Sequence, residues 1–175
     1  LKILKEVSEI LGVPVVTDIH GSEEALMAAE YVVVLQIPAF LSRQTDLLVA
    51  AAKTGKIVNV KKGQFMAPWD MRGAIAKIES NHPLASSSNG LINSKSIWLT
   101  ERCSIFGYGN LIVDMTSLVN MLEYGYPVVF DATHSVQQPS GQAGITGGNR
   151  EMVPHLIRAA VAVGIITQTM IPCEI

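Results

Sequence analysis

The sequence has little of what marks several large classes of protein. Its two cysteines, Cys103 and Cys173, lie far apart and form no CxxC pair, so neither a disulfide framework nor a zinc site is predicted. No apolar run approaches the roughly 20 residues of a membrane-spanning helix. The formal net charge is only −2, which gives no electrostatic reason to expect nucleic acid or a membrane as partner. A cytoplasmic location fits this composition best.

Apolar residues, in contrast, are abundant. Hydrophobic residues make up 49% of the chain and charged residues only 16%. This balance excludes a disordered chain and indicates elements that are buried on several sides, as the strands of parallel sheets are. A length of 175 residues allows one domain with a real core and is too short for two ordinary ones. We therefore expect residues 1–175 to form a single domain.

Short runs rich in Val and Ile alternate along the chain with longer amphipathic segments. Ser22 is the expected N-cap of one helix, and Gly12 and Gly55 are expected to end two others. A polar segment, 80–94, is predicted to be a surface loop. The predicted strands are 13–19, 32–37, 57–61, 96–101 and 127–132, and the predicted helices are 1–11, 22–30, 45–54, 68–79, 115–124 and 150–163.

Strict strand–helix alternation implies parallel strands joined by right-handed crossovers, in either an open sheet or a closed barrel. Open sheets often carry a GxGxxG motif or a P-loop after the first strand, and this sequence has neither. Every predicted strand instead ends in polar residues, and barrels spread their chemistry over many strand ends. We therefore predict an α/β fold, a (β/α)8 TIM barrel. Five strands do not close a barrel of roughly 250 residues, so we expect further units at both ends.

Two cations follow consecutive predicted strands. Lys61 and Arg102 should lie on one rim of the barrel, where a point charge and a guanidinium fork suit phosphate plus carboxylate. Alternation along the strand directs Lys61 toward the barrel axis and Lys62 to the other side. An inward lysine could also act as a Schiff-base nucleophile. A structural ion pair with Asp131 or Glu101 is the other interpretation.

Four histidines are distributed over the chain. His134 follows a predicted strand, where it could be a metal ligand, a general acid or base, or a carbonyl polariser, the alternative being a structural histidine. His20 has a similar position and is interpreted as structural. His82 and His155 are predicted to be solvated.

Two further features are less specific. The glycine-rich string SGQAGITGGNRE, which precedes a predicted helix, suits an anion-binding loop or a mobile lid. Trp69 and Trp98 are interpreted as packing residues rather than as surfaces that stack on a ligand.

Seven strings together resemble the 3-deoxy-D-manno-octulosonate 8-phosphate synthases. They are TDIH, QIPAFLSRQTDLLVAAAKTGKIVNVKKGQF, APWDM, LTER, FGYGNLIVDM, PVVFDATHSVQQPSG and GGNRE, and the likeness runs from Leu1 to about Gly164. The resemblance implies a cytoplasmic (β/α)8-barrel transferase, usually a homotetramer, of Gram-negative bacteria and plants. The resemblance also implies the reaction of this family, the condensation of phosphoenolpyruvate with arabinose 5-phosphate, with release of phosphate, on the route to the Kdo sugar of lipopolysaccharide.

The resemblance also implies roles for individual residues. Lys61 and Arg102 correspond to the pair that binds the phosphate and carboxylate of phosphoenolpyruvate, and Arg43 to an arginine that reaches a neighbouring subunit's sugar-phosphate site. His134 corresponds to a histidine near the reacting carbons. In metal-dependent members it is a metal ligand, so a divalent ion (Zn, Fe or Mn) is implied only for such a member. The other implied substrate-binding residues are Gln36, Pro38, Ala39, Phe40, Gln64 and Asp131.

Two other functions remain open on the sequence. One is a related phosphoenolpyruvate-condensing synthase of the DAHP or sialic acid type, against which the QIPAF and DATHSVQ strings favour the Kdo enzyme. The other is a non-catalytic truncated barrel, since the family's N-terminal sugar-phosphate motif and its last strand are not among the matching strings. We expect an isolated 1–175 polypeptide to show no synthase turnover. The chain also departs from the family at Cys103, a position where the family usually has Gly.

Overall fold

A computed structural model describes residues 1–86, 96–105, 111–142, 145–165 and 167–169. The chain divides into two compact units. Unit 1 consists of Leu1–Lys61 and Arg72–Trp98, and unit 2 consists of Lys62–Met71 and Leu99–Ile175. The single-domain organisation stays a prediction.

Unit 1 contains three parallel strands, β1 (Val16–Asp18), β2 (Val34–Ile37) and β3 (Ile57–Lys61). β2 pairs with β1 and with β3. All four residues of β2 are buried, as are the last four of β3, which explains their nearly continuous apolar sequence. The predicted start of β1 at residue 13 is wrong, because Pro14 has no N–H to donate to a neighbouring strand.

Four helices accompany these strands: α1 (Lys2–Leu11), α2 (Ser22–Ala29), α3 (Thr45–Lys53) and α4 (Met71–Glu79), whose first residue belongs to unit 2. α1 ends at Gly12, as predicted, because φ of 64° is a left-handed conformation that glycine adopts without strain. α1 has no buried residue, whereas α3 buries one apolar face.

The predicted N-cap of α2 is wrong. Gly21 occupies the cap position with extended backbone, and Ser22 is the first helical residue, with no side-chain cap bond. The carboxylate of Glu24 accepts instead from the backbone N–H of His20 at 2.8 Å. Glu23 and Glu24 also complement the positive end of the helix dipole, so this terminus is stabilised without a serine cap.

Unit 2 contains the parallel strands β4 (Ile97–Glu101, whose first two residues belong to unit 1), β7 (Val128–Asp131) and β10 (Thr167–Thr169), with β7 between the other two. Its helices are α5 (Met115–Leu122) and α6 (Val153–Ala162). Asp114 caps α5 by accepting from the N–H of Thr116 at 2.9 Å. Two antiparallel pairs complete the unit: β5 (Ser104–Ile105) with β6 (Leu111–Ile112), and β8 (Gln137–Gln142) with β9 (Ile145–Gly148).

The predicted α/β class is confirmed, since helices follow parallel strands in the repeating pattern of a (β/α)8 barrel. β10 was missed because its Thr and Gln side chains carry no apolar pattern. The glycine-rich string is also different from its prediction, because it contributes to the paired strands β8 and β9. Its anion-binding or lid role stays a prediction.

Two side chains lie in surroundings opposite to those predicted. His82 is only 2% exposed, with its Nδ1 accepting from the N–H of Leu84 at 3.3 Å, so the solvated-loop prediction is wrong there. Trp69 is 67% exposed, so the prediction that its indole packs in the interior is wrong, and its backbone carbonyl accepts from the hydroxyl of Tyr124 at 3.0 Å.

The rest of the predicted loop, 87–95, lies outside the described residues, as does Cys173. No helix in the described part of the chain is long and apolar enough to cross a membrane.

Candidate active site

The carboxyl ends of the parallel strands carry the polar residues that the sequence places there. Asp18, Lys61, Glu101 and Asp131 are the last residues of β1, β3, β4 and β7, and Gln36 is the residue before the end of β2. In proteins built from repeated β/α units this edge carries the chemistry.

In unit 1, three polar side chains form a row across the strands. Asp18 lies opposite Gln36, and Gln36 opposite Asn59, in the strand register. The Nδ2 of Asn59 donates to the Oε1 of Gln36 at 2.8 Å, and the Nε2 of Gln36 donates to the Oδ1 of Asp18 at 2.6 Å. Both ends of the buried Gln36 amide are therefore fixed by neighbours, which sets its orientation.

The chain after β2 turns at once. Pro38, in extended backbone, precedes a 3-10 turn at Ala39–Leu41. Ala39 is buried, whereas Phe40 is 72% exposed and Arg43 is exposed. The carbonyl of Arg43 accepts from the ammonium of Lys77 at 3.2 Å. The substrate roles expected of these residues stay predictions.

Lys61, the predicted phosphate ligand, is buried and ends unit 1, whereas Lys62 begins unit 2. The predicted pairing of Lys61 with Arg102 stays a prediction.

Lys62, which the sequence analysis assigned to no function, is fully buried in unit 2. Its ammonium donates to the carbonyl oxygens of Met66 at 3.2 Å and of Gly63 and Cys103 at 3.4 Å, and to the hydroxyl of Ser104 at 3.4 Å.

The Nζ of Lys62 also lies 3.5 Å from the Oε2 of Glu101, which is equally buried. The Ser117 hydroxyl donates to the same oxygen at 2.5 Å, whereas Oε1 has no hydrogen-bond partner among the described residues. Burial raises the pKa of Glu101 to about 6, although Lys62 and Ser117 favour the ionised form. In this unit, Glu101 is thus the partner of Lys62.

Arg102 and Gln64 are buried side chains with unmet hydrogen-bonding capacity. Arg102 is 8% exposed and its Nη2 donates to the Oε1 of Gln137 at 3.4 Å, while Gln64 is 6% exposed. In the described part of the chain, the Arg102 Nε and the Gln64 Oε1 have no hydrogen-bond partner. Leaving such atoms unpaired in the interior is costly, which makes Arg102 and Gln64 candidates for contact with a ligand.

His134 is held by the carboxylate of Asp131. The imidazole Nδ1 lies 2.7 Å from the Asp131 Oδ2, and the Oδ1 accepts from the His134 backbone N–H at 3.1 Å and from the Thr133 hydroxyl at 3.0 Å. A carboxylate accepts, so Nδ1 carries the proton and Nε2 is the ring atom that accepts a proton or binds a metal.

Ser135 links the ends of β4 and β7 within unit 2. Its buried hydroxyl lies within hydrogen-bonding distance of the carbonyl oxygens of Asp131, at 2.6 Å, and of Arg102. Its single proton is shared between the two. The backbone of Arg102 and the backbone that carries the Asp131–His134 pair are thereby tied together.

The described residues do not by themselves make a metal site. Among them, no group of three or more His, Cys, Asp or Glu side chains converges as a metal ion requires. His134 offers one ligand with an orienting carboxylate behind it.

Sequence reasoning found the strand-end cations and His134 but missed the residues that hold them. The strand alternation predicted that Lys62 points away from Lys61 but gave no partner for it. A Glu that ends the apolar run SIWLTE was the signal for a buried carboxylate. Glu101 was considered only as an ion-pair partner of Lys61 or Arg102. The missed residues are Asn59, Ser104, Ser117, Ser135 and Gln137.

The chain is 60% identical over 165 residues to the 2-dehydro-3-deoxyphosphooctonate aldolase of Trichlorobacter lovleyi, which is 94% of this chain and 57% of that protein. It is 58% identical to the protein of that name from a Cyanothece species and 55% identical to the one from Agrobacterium fabrum, in each case over 94% of this chain and 56% or 55% of the relative. The chain thus spans about half the length of the curated relatives it matches. A family model described as the DAHP synthetase I family matches residues 1–173, and the chain belongs to that family.

Proposed function

We propose that the complete protein is a transferase that joins phosphoenolpyruvate to D-arabinose 5-phosphate, giving 3-deoxy-D-manno-octulosonate 8-phosphate and phosphate for the Kdo of lipopolysaccharide. The observation that carries the proposal is the buried Arg102 guanidinium, whose Nε has no partner among the described residues. The Ser135 hydroxyl ties the backbone of Arg102 to the segment bearing Asp131 and His134. The names of the relatives supply the substrates.

The reaction needs what this arrangement offers. The C3 of phosphoenolpyruvate attacks the sugar aldehyde, water adds at C2, and the tetrahedral intermediate collapses with loss of phosphate. A trianionic substrate must be held by cations, a role for Arg102 and, from its sequence motif, Lys61. A group must also stabilise or protonate the developing alkoxide, a role for His134, which Asp131 orients.

The experiment that tests the proposal is a substrate comparison with the complete protein. Phosphate release from phosphoenolpyruvate is measured with arabinose 5-phosphate and, separately, with erythrose 4-phosphate. We expect turnover with the five-carbon sugar phosphate alone. Faster turnover with erythrose 4-phosphate would replace the proposal by a DAHP synthase function, and no turnover with either would favour a non-catalytic protein.

We also propose that the protein is a cytoplasmic homotetramer in which Arg43 reaches the sugar-phosphate site of a neighbouring subunit. Arg43 and the nearby Phe40 are exposed in this chain, which supports such a role. Sedimentation of the complete protein gives the oligomer size. Arg43→Ala should raise the KM for arabinose 5-phosphate, and the exposed Arg158→Ala serves as the matched control. A monomer, or an unchanged KM, would contradict this part of the proposal.

A further inference from the structure

Lys62 and Glu101 form an ion pair that has no assigned part in the reaction. Neither side chain has any exposed surface, and the Nζ of Lys62 lies 3.5 Å from the Oε2 of Glu101. Neither side chain is accessible to a substrate that arrives from solvent. Burying two charges is costly, and an apolar pair of similar volume is often as stable or more so. A contribution to stability alone therefore does not explain why the chain has a buried ion pair at these two positions.

The ammonium of Lys62 is bound to the segment that carries Gln64. It donates to the carbonyl of Gly63 at 3.4 Å and to that of Met66 at 3.2 Å. These two residues flank Gln64, whose buried Oε1 has no partner among the described residues. Lys62 therefore fixes the backbone on both sides of Gln64.

The same ammonium is bound to the segment that carries Arg102. Glu101, whose carboxylate it pairs with, precedes Arg102, and Cys103, whose carbonyl accepts from it at 3.4 Å, follows Arg102. The hydroxyl of Ser104 is a further partner at 3.4 Å. One buried cation thus holds the residues on either side of both Gln64 and Arg102.

We propose that Lys62 and Glu101 are positioning residues that hold the Arg102 guanidinium and the Gln64 amide in the geometry that binds phosphoenolpyruvate. The inference rests on the proposed function and adds two residues that do not touch the substrate. The carboxylate of Glu101 balances the charge of the buried ammonium, and the ammonium has three N–H donors for directional bonds that an apolar side chain cannot make.

The decisive variant is Lys62→Met combined with Glu101→Leu in the complete protein. It removes both charges and nearly keeps the volume, but it leaves the carbonyls of Gly63, Met66 and Cys103 without this donor, so the protein should fold with a melting temperature somewhat below that of the wild type. Because the two segments lose their common anchor, the Kd for phosphoenolpyruvate should rise about tenfold or more. The KM for arabinose 5-phosphate, determined at saturating phosphoenolpyruvate, should stay within a factor of about two. A purely structural pair would lower the melting temperature without raising the Kd for phosphoenolpyruvate tenfold.

A matched pair of single substitutions tests the same point while Lys62 and Glu101 both stay in place. Ser104→Ala removes one bond between Lys62 and the Arg102 segment, and we expect phosphoenolpyruvate affinity to fall about threefold with no change in melting temperature. Ser117→Ala removes a bond to Glu101 and none to the ammonium, so affinity should change less than with Ser104→Ala.

The outcomes separate this inference from the proposed function. If the double variant folds and keeps wild-type phosphoenolpyruvate affinity, the positioning role is overturned, while a loss of affinity in Arg102→Ala still supports the proposed function. If the double variant does not fold, the two serine variants decide, and equal effects of the two would overturn the role. If wild-type protein binds no phosphoenolpyruvate, the proposed function and this inference both fail.

Discussion

The imidazole Nδ1 of His134 lies 2.7 Å from the Oδ2 of Asp131, a carboxylate with no exposed surface. The Asp131 Oδ1 accepts from the backbone N–H of the same histidine, so the carboxylate fixes both the ring and the start of the turn that carries it. The ring itself keeps 22% of its surface exposed. Asp131 thus sets the orientation of the ring from its buried side. With the proton on Nδ1, Nε2 is the ring nitrogen left to accept a proton.

Asp131→Asn should lower kcat by roughly 10–100-fold with little change in the KM values, because an amide no longer selects the Nδ1–H tautomer. Steady-state rates of the complete protein check this. The exposed Asp46→Asn in α3 is the control and should behave as wild type. A full rate with Asp131→Asn would show that the pair is structural only.

His134→Ala tests whether the protein uses a divalent metal. If it does, protein purified without added ions should carry Zn, Fe or Mn, a chelator should abolish turnover, and the substitution should lose the bound ion. Elemental analysis of wild type and variant gives the answer. Tight metal binding that does not depend on His134 would contradict its proposed part in the site.

Arg102→Ala should weaken phosphoenolpyruvate binding by on the order of 2–3 kcal/mol, the loss of a charge-assisted contact. Calorimetric titration of the complete protein measures the Kd. Arg158→Ala, an exposed arginine on α6, is the matched control. Unchanged affinity in the Arg102 variant would contradict the role of Arg102 on which the proposed function rests.

Gln36→Leu should destabilise the protein by about 1–3 kcal/mol, because the Asn59 amide and the Asp18 carboxylate each lose a hydrogen-bond partner. Thermal unfolding measures the change. Gln44→Leu removes a single long contact to Asp46, 3.5 Å in length, and should have a much smaller effect. Equal shifts for the two would mean that the row of polar side chains does not stabilise the fold.

The buried His82 should make stability depend on pH. Burial lowers its pKa below the ordinary value of 6.5, so the unfolded chain binds the proton more tightly than the folded chain. The contribution of His82 is fully present above pH 6.5 and is lost as the pH falls below that value toward the folded pKa. Chemical unfolding between pH 7 and pH 5, compared with His82→Leu, isolates the effect. An identical pH slope in the two proteins would contradict it.

The sequence predicted the elements whose local pattern is strong. β3 was located at its observed bounds because its Ile and Val residues are buried on both faces. Gly12 marked the end of α1 because glycine adopts the left-handed conformation of a helix end without strain. β10 and the antiparallel pairs were missed, since strands this short or this polar are held by their partners rather than by their own composition.

The candidate site was predictable to the same extent. Residue type and strand-end position were enough to select Arg102 and His134 as candidates. The burial of Lys62 with Glu101, and the hydroxyl of Ser135 between two segments, depend on which loops meet in space. No spacing along the chain encodes that meeting, so these residues could be found only from the structure.

The exposure of Trp69 has a practical consequence for spectroscopy. This chain carries two tryptophans, one of them 67% exposed and the other, Trp98, half-buried in β4. A soluble quencher such as iodide should therefore reach the indole of Trp69 first. Replacing Trp69 by Phe leaves Trp98, four residues before Arg102, as the intrinsic fluorophore of this segment, so its emission reports on the strand that carries the guanidinium.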